Sequence, residues 1–314
     1  MRGEAIAIAE RPSQATQPGA TLDRLIRWVA LAGVLVVLLV TTTSAYLRVT
    51  AAGLGCEDWP ACYGHQAATA AQPTGFARAT HRISATLAGT AVLAIGFLVL
   101  GEPRRFRSQL KITGVLLLIT AGLAFLGRAT PGASVPAVAM GNVLGGMLMA
   151  SLLWWLALGS AAGRPWAARV LYWVALLLVF TQIALGVLTS ASYSGLACSS
   201  LPSCTAEGFP GAWSACELNP WTTATGRASA HMAHRVVALA AAAAALAVAL
   251  KRDTDRRSRA ALLGVLALQL LTGVLLVALS LPLALAVAHN LFAVLLLLAL
   301  VAALHGSARQ QAAQ

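Results

Sequence analysis

Three of the six histidines in this sequence lie inside long apolar runs: His81, His234 and His289. An imidazole within a bilayer is costly because no water solvates it, and such a residue usually binds a ligand, a proton or a partner. All three follow the same end of their runs by roughly five or six residues, which is about 8–9 Å at the rise of an α-helix. The sequence therefore predicts that the three side chains lie at matched depth in a membrane.

The pair formed by His234 and His289 is typical of two axial ligands of one haem. Haem iron binds axial histidines readily, and helical bundles are a usual host for it. A single buried histidine is explained as well by a hydrogen bond to a neighbouring carbonyl. Two histidines at matched depth favour a haem that stands between their helices.

His81 has a different expected partner, because Asn142 stands where the C-terminal part of the chain has His289. Asparagine is not a normal haem ligand. Two histidines favour electron transfer, whereas one histidine and an open face admit a substrate or an oxygen species. Asn142 would then hydrogen-bond the group bound there. The GxxxG pattern of Gly141 and Gly145 either packs helices closely or makes room for a macrocycle.

Three further residues lie beside these histidines in the sequence. His231 precedes His234 by one turn on the same helix face, so contact with the periphery of a haem fits it better than iron ligation. Arg82 and Arg235 directly follow His81 and His234. Both arginines are candidates to pair with haem propionates, and the alternative is that they extend to lipid headgroups.

The composition indicates an integral membrane protein, since 59% of the residues are hydrophobic and only 10% are charged. Apolar runs long enough to cross a hydrocarbon core of about 30 Å recur along the chain. They predict an all-α protein with eight transmembrane helices, at about 26–48, 78–100, 110–127, 136–159, 169–190, 229–250, 259–279 and 283–304. A soluble domain of any size is excluded.

The net charge of +12 reflects membrane topology rather than nucleic-acid binding. Lys and Arg cluster in the N-terminal segment, in 102–111, in 164–169 and in 251–259, all of which fall on one side of the membrane. The positive-inside rule makes that side cytoplasmic. We therefore predict insertion in the cell (inner) membrane, with both termini cytoplasmic and the cysteine-containing loops outside. His305, at the inner end of the last span, is expected at the surface.

The sequence contains an internal repeat of four spans, which divides it into an N-terminal half at 26–160 and a C-terminal half at 161–305. The cysteine pairs, the His-Arg pairs that open the second and sixth spans, and a Gly-Val-Leu triplet recur in the same order. Parallel repeats of this kind form pseudo-symmetric bundles about an axis along the membrane normal. A disordered cytoplasmic segment at 1–25 and a cytoplasmic tail at 306–314 complete the predicted organisation.

The cysteines form two C-x5-C pairs on the predicted outer side, where disulfides persist. We predict one disulfide in each half. Such a bond either takes part in redox chemistry or only stabilises its loop. The alternatives are free thiols, or a zinc site that uses the first pair with His65, although no fourth ligand is evident. Cys216 has no counterpart in the first half. The predicted pairs are Cys56–Cys62 and Cys198–Cys204.

Together these residues resemble the haem A synthase family. The sequence Gly53-Leu54-Gly55-Cys56-Glu57-Asp58-Trp59-Pro60-Ala61-Cys62 matches the GLGCxDWPxC loop of that family closely, and the resemblance covers about residues 25–305. It implies oxidation of the C8 methyl group of haem O to the formyl group of haem A, for cytochrome oxidase. It also implies that a haem b cofactor is held by His234 and His289.

The resemblance places the substrate haem in the N-terminal half, with His81, Asn142 and Arg82 as its expected contacts. His81, Asn142 and Glu57 are the candidate catalytic residues. The sequence departs from the family at two positions in this half, where Arg78 replaces a frequent glutamate and Asn142 replaces a histidine. The C-terminal half follows the family pattern at its two haem ligands.

Two other functions fit the same residues: a b-type haem protein that transfers electrons, and a haem-binding oxidase assembly factor without catalytic activity. The expected partners are haem O and the lipid bilayer. A haem O synthase, an electron donor and a second copy of the chain are further candidates. Nucleic acid is not an expected partner.

Overall fold

The computed structural model describes residues 18–51, 74–129, 136–159, 169–202, 204 and 224–309. Within these residues the chain forms helices joined by short connections, and it contains no strand. The helices are α1 (Pro18–Ala51), α2 (Thr74–Gly101), α3 (Arg107–Ala129), α4 (Pro136–Leu158), α5 (Val170–Ala191), α6 (Ala224–Leu250), α7 (Arg256–Ala278) and α8 (Leu283–Arg309).

All eight of these helices are long and apolar enough to span a membrane, and they confirm the all-α fold predicted from the apolar runs. Helices form there because lipid offers no partner for backbone N–H and C=O groups, which must bond within the segment. Many large apolar side chains face outward, as a protein surrounded by lipid requires; Phe76 is 84% exposed and Phe97 is 81% exposed.

The first and last helices extend beyond the spans that the sequence predicted. The helix α1 begins at Pro18, inside the segment 1–25 that was expected to be disordered. Proline suits the first helical turn, and Leu22 packs against the core, so these residues extend the apolar stripe of the span. Asp23 also forms an ion pair with Arg105 at 2.7 Å. At the other end, α8 continues to Arg309, into the expected tail.

Each half of the chain is a ring of four helices, named here the first ring (α1 to α4) and the second ring (α5 to α8). In the first half, α1 packs on α2 and α4, and α3 completes the ring between them. The second half repeats this arrangement with α5, α6, α7 and α8. The helices that carry His81 and Asn142 are therefore diagonal neighbours, as are the helices that carry His234 and His289.

The two halves meet along one seam. There α1 packs on α8, α4 packs on α5, and α4 packs on α8. A twofold rotation that relates the halves exchanges the α1–α8 contact with the α4–α5 contact. The α4–α8 contact lies on the axis of this rotation. The packing is therefore compatible with the predicted pseudo-symmetry. The Trp154 indole N–H donates to the Leu298 carbonyl across the seam at 3.1 Å.

A tight connection sets α7 against α8. Ser280 and Leu281 both adopt left-handed backbone conformations, with φ of 54° and 62°. Such conformations are unfavourable for residues with side chains, and here they close the end of α7 through a hydrogen bond from Leu281 N–H to the Leu276 carbonyl at 2.7 Å. The short turn holds the end of α7 against the start of α8, near the site described below.

His305 was expected at the surface, and this expectation is wrong. It is 2% exposed. Its Nε2–H donates to the Gly159 carbonyl at 2.9 Å, and its ring packs edge-on against Trp155 at 5.1 Å between centroids. The carbonyl at the end of α4 lacks a helical partner, and the imidazole supplies the donor.

Candidate functional site

The imidazole of His289 lies against α7. Its Nδ1 is 3.0 Å from Thr272 Oγ1, and its Nε2 is 3.1 Å from Gln269 Nε2. The Thr272 hydroxyl hydrogen is directed at the carbonyls of Leu268 and Gln269, at 2.8 and 3.1 Å. Thr272 therefore accepts a hydrogen from Nδ1, and this fixes the tautomer in which Nε2 carries the lone pair.

The imidazole of His234 lies against α5 in a corresponding position. The Gln182 side-chain amide nitrogen is 2.9 Å from its Nδ1 and 3.3 Å from its Nε2. Each histidine of the pair thus contacts one glutamine on the helix beside its own. His234 on α6 and His289 on α8 lie on diagonal helices of the second ring.

Two glycines make room for these rings. A Cβ added at Gly186 of α5 would lie 3.0 Å from His234 Cε1, and a Cβ added at Gly273 of α7 would lie 3.2 Å from His289 Cε1. Both distances are shorter than an ordinary contact, so a side chain at either position would displace the imidazole. Each of the two imidazoles is thus held between a glycine and a glutamine.

The donor set of the second ring fits a haem. Gln182 Oε1 and Gln269 Oε1 are buried without a hydrogen-bond partner among the described residues, although buried polar atoms are nearly always paired. Both orphaned oxygens flank an imidazole, so the polar groups around the pair are incompletely satisfied by protein alone. Within the described part of the chain, no group of three or more His, Cys, Asp or Glu residues lies together. Two imidazoles on diagonal helices of one ring match the two axial ligands of a haem iron.

His81, in the first ring, is held differently. Its Nδ1 is 3.3 Å from the Val40 carbonyl and 3.5 Å from Thr43 Oγ1, both on α1. A carbonyl only accepts, so Nδ1 carries the hydrogen and Nε2 presents its lone pair. No described residue hydrogen-bonds that Nε2. In contrast to His234 and His289, His81 is not hydrogen-bonded by any glutamine among the described residues.

Asn142 faces the interior of the first ring. A Cβ added at Gly141 or Gly145 would lie 2.9 or 2.8 Å from leucines of α3, and one added at Gly146 would lie 3.5 Å from Thr41 of α1. On a helix of 100° per residue, position 142 falls between these two directions. The side chain is partly buried, and it makes no hydrogen bond to the described residues.

These contacts decide between the two readings of the GxxxG pattern. Gly141 and Gly145 pack α4 tightly on Leu126 and Leu123 of α3, so the space that the glycines leave is filled by leucine side chains. The pattern serves helix packing at this point, and it does not make room for a macrocycle.

Arg235 contacts the loop that follows α5. Its two terminal nitrogens donate to the carbonyls of Ser200 and Cys198, each at 2.7 Å. The sequence suggested a haem propionate or lipid headgroups as its partners and gave no sign of this loop. The Cys198–Cys204 disulfide predicted for the second half is present in the same loop. His231, one turn from His234, is 5% exposed, and its Nδ1 has no hydrogen-bond partner among the described residues.

The remaining candidates are not brought together. Arg82 and Arg78 are exposed on α2. Glu57, Cys56, Cys62, His65 and Cys216 lie outside the described residues. Sequence reasoning missed Gln182, Gln269, Thr272 and Arg48. A signal existed for the glutamines, because an amide side chain in an apolar span also needs a partner.

Comparisons with known proteins give one family match and two similar proteins. A family of proteins described as "cytochrome oxidase assembly protein" matches residues 73–301. A protein from Shewanella oneidensis named "Heme A synthase" is 32% identical over 302 residues, which cover 84% of this chain and 91% of that protein. A protein of the same name from Alkalihalophilus pseudofirmus is 27% identical over 216 residues, or 65% of this chain and 68% of the relative. The residues of the family match include His81, Asn142, His234 and His289.

Proposed function

Because the chain belongs to the cytochrome oxidase assembly protein family, we propose that it is a haem A synthase, a membrane oxidoreductase that converts the C8 methyl group of haem O to the formyl group of haem A. The observation that carries the proposal is the 32% identity to a protein of that name over 91% of its length. The arrangement of histidines supports it, because both rings offer an imidazole to haem iron near the outer ends of their helices.

In this proposal the second ring, within 161–305, is the cofactor half. His234 and His289 would hold the iron of haem b, and the amides of Gln182 and Gln269 would have to move away from the imidazoles. Thr272 keeps the hydrogen of His289 on Nδ1, so that Nε2 is always the coordinating atom. A haem b bound by two histidines supplies one-electron transfer. Arg235 holds α6 against the disulfide loop, and His231, one turn from His234, lies toward the periphery of this haem.

The first ring, within 26–160, is the substrate half. His81 binds the iron of haem O through Nε2, since Val40 already accepts the hydrogen on Nδ1. Asn142 faces the same interior from the diagonal helix and offers an amide rather than a second ligand. The opposite face of the substrate iron therefore remains open, which is what oxidation of a substrate requires. Arg82 lies beside His81 and extends to a propionate or to the membrane surface.

The outer loops complete the proposed enzyme. The basic segments at the other end of the bundle place both termini in the cytoplasm, which leaves the cysteine loops outside. Cys56 and Cys62 form the first-half counterpart of the Cys198–Cys204 bond, and Glu57 beside them is a candidate catalytic residue. The partners are haem O and lipid, together with an electron donor and a haem O synthase that supplies the substrate.

The test is formation of haem A in membranes that contain haem O but have no other haem A synthase. We expect haem A among the extracted pigments when this chain is expressed, and none when His81 is replaced by Ala. Arg128→Gln is the matched control, since Arg128 is an exposed residue at the predicted outer end of α3. Bound low-spin haem without any haem A would contradict the proposal and would indicate a b-type electron carrier or an assembly factor.

A further inference from the structure

Arg48 crosses the seam between the two halves. It lies in the last turn of α1, within the first ring, and its contacts are on helices of the second ring. Its Nε–H donates to Ser190 Oγ of α5 at 3.1 Å, and its Nη2–H donates to Asn290 Oδ1 of α8 at 2.9 Å. The Asn290 amide nitrogen donates to the Ala286 carbonyl at 2.8 Å, which orients the amide oxygen toward the guanidinium.

The guanidinium has no anionic partner among the described residues. The ion pairs there join Arg105 to Asp23 and Glu102, and Lys251 to Asp253. Arg48 is partly buried within a span and hydrogen-bonds only neutral groups. A cation removed from water costs several kcal/mol, whereas the negative end of the α1 dipole returns about 0.3–1 kcal/mol. The balance favours an anion at this position.

The surroundings of Arg48 identify which anion. Asn290 directly follows His289, and Ser190 lies one turn beyond Gly186, the residue that makes room for His234. Arg48 thus contacts α8, which carries His289, and α5, whose Gln182 contacts His234. A haem carries its ionised groups on two propionates, and a guanidinium binds a carboxylate through paired hydrogen bonds.

We propose that Arg48 binds a propionate of the haem held by His234 and His289, so that one half of the chain supplies an anchoring residue for the cofactor of the other. This rests on the proposed function of the second ring as the haem b site. The guanidinium keeps Ser190 and Asn290 as neutral supports and uses its remaining N–H groups for the carboxylate.

The test separates the charge of the propionates from the rest of the haem. Purified full-length protein is stripped and reloaded with either haem b or its dimethyl ester, in which both carboxylates are blocked. Loss of the low-spin absorbance to excess apomyoglobin then gives the dissociation rate. We expect wild type to hold haem b about tenfold longer than the ester, the factor that corresponds to about 1.4 kcal/mol. Arg48→Gln should release both at similar rates, and Arg128→Gln should behave as wild type.

Three outcomes overturn the proposal while the haem site itself stands. In the first, Arg48→Gln releases haem b and the ester faster by the same factor, which would make the residue only a tether between the halves. In the second, wild type binds haem but shows no preference for the free acid. A preference that persists in a His234→Ala protein, on the haem bound at His81, would assign the carboxylate to the substrate and refute the assignment to the second ring.

Failure of the proposed function looks different, since wild type would then bind no low-spin haem of either kind. If Arg48→Gln does not fold, the same measurement is made on Arg48→Lys, which keeps the positive charge. We expect Arg48→Lys to retain a reduced preference for haem b over the ester, since ammonium pairs with carboxylate without the bidentate geometry. Equal release of both haems by this folded variant would contradict an electrostatic role.

Discussion

Thr272 Oγ1 lies 3.0 Å from His289 Nδ1 and accepts its hydrogen. The direction of this bond follows from the Thr272 hydroxyl, whose own hydrogen is committed to the Leu268 carbonyl at 2.8 Å. A partner of this kind orients a ligating imidazole and makes its other nitrogen more basic. The contact therefore gives Thr272 a function that can be measured without measuring turnover.

Thr272→Val removes the acceptor and keeps the shape of the side chain. We expect haem affinity to fall by roughly tenfold or more, as for other residues that orient metal-bound histidines. The measurement is haem retention by the purified protein, with the low-spin absorbance recorded in parallel. Thr272→Ser is the control, since it keeps the hydroxyl and should keep wild-type retention. Equal retention in the valine variant would show that the tautomer of His289 needs no support.

His234→Ala and His289→Ala should each abolish the low-spin haem signature, because an iron with one histidine no longer has two strong axial ligands. The optical spectrum and haem content of the purified variants provide the check. His305→Gln is the matched control on α8: glutamine can still donate to the Gly159 carbonyl, and position 305 lies at the opposite end of the helix. If both alanine variants kept the wild-type spectrum, the assignment of the pair would be wrong.

The Cys198–Cys204 disulfide of the C-terminal half leads us to predict a corresponding bond in the N-terminal half. Because the halves are repeats with the same C-x5-C spacing on the same predicted side, we expect a Cys56–Cys62 bond and a free Cys216. Peptide mapping by mass spectrometry of the unreduced protein reads the pairing directly. A bond between Cys56 and Cys198, or a major species paired through Cys216, would contradict the repeat.

Asn142→His tests whether the first ring works with an open iron face. Position 142 faces the ring interior, so we expect the new imidazole to ligate the substrate iron opposite His81, convert it to a low-spin state and lower the yield of haem A. The yield per enzyme and the spin state are measured together against wild type. A clear gain in yield would mean that Asn142 marks a lost ligand rather than an open face.

The helices, and the histidines that lie within them, could be predicted because both are recognised from neighbouring residues in the sequence. An apolar run of sufficient length forms a helix in lipid whatever it packs against, and His81, His234 and His289 are conspicuous within such runs. The positions of His81 and His234 along their helices were predicted less accurately, since α2 begins at Thr74 and α6 at Ala224, before the apolar runs themselves.

The contacts that the sequence did not reveal join distant positions. Arg48 meets Asn290 across 242 positions, and His305 meets Gly159 across 146. Nothing local distinguishes a buried histidine that supplies a donor to a helix end from one at the surface. The glycines of α4 were ambiguous for the same reason, because only the leucines of α3 show that their space is filled.

The direct packing of α4 on α8 fixes how far apart the two rings are. In separate proteins, a donor and an acceptor of electrons must first find each other by diffusion, and the rate falls on dilution. In the proposed enzyme the two haem sites would belong to one polypeptide, in the rings on either side of the contact between α4 and α8. Electron exchange between them would be unimolecular, and its rate would not depend on how sparsely the protein is distributed in its membrane.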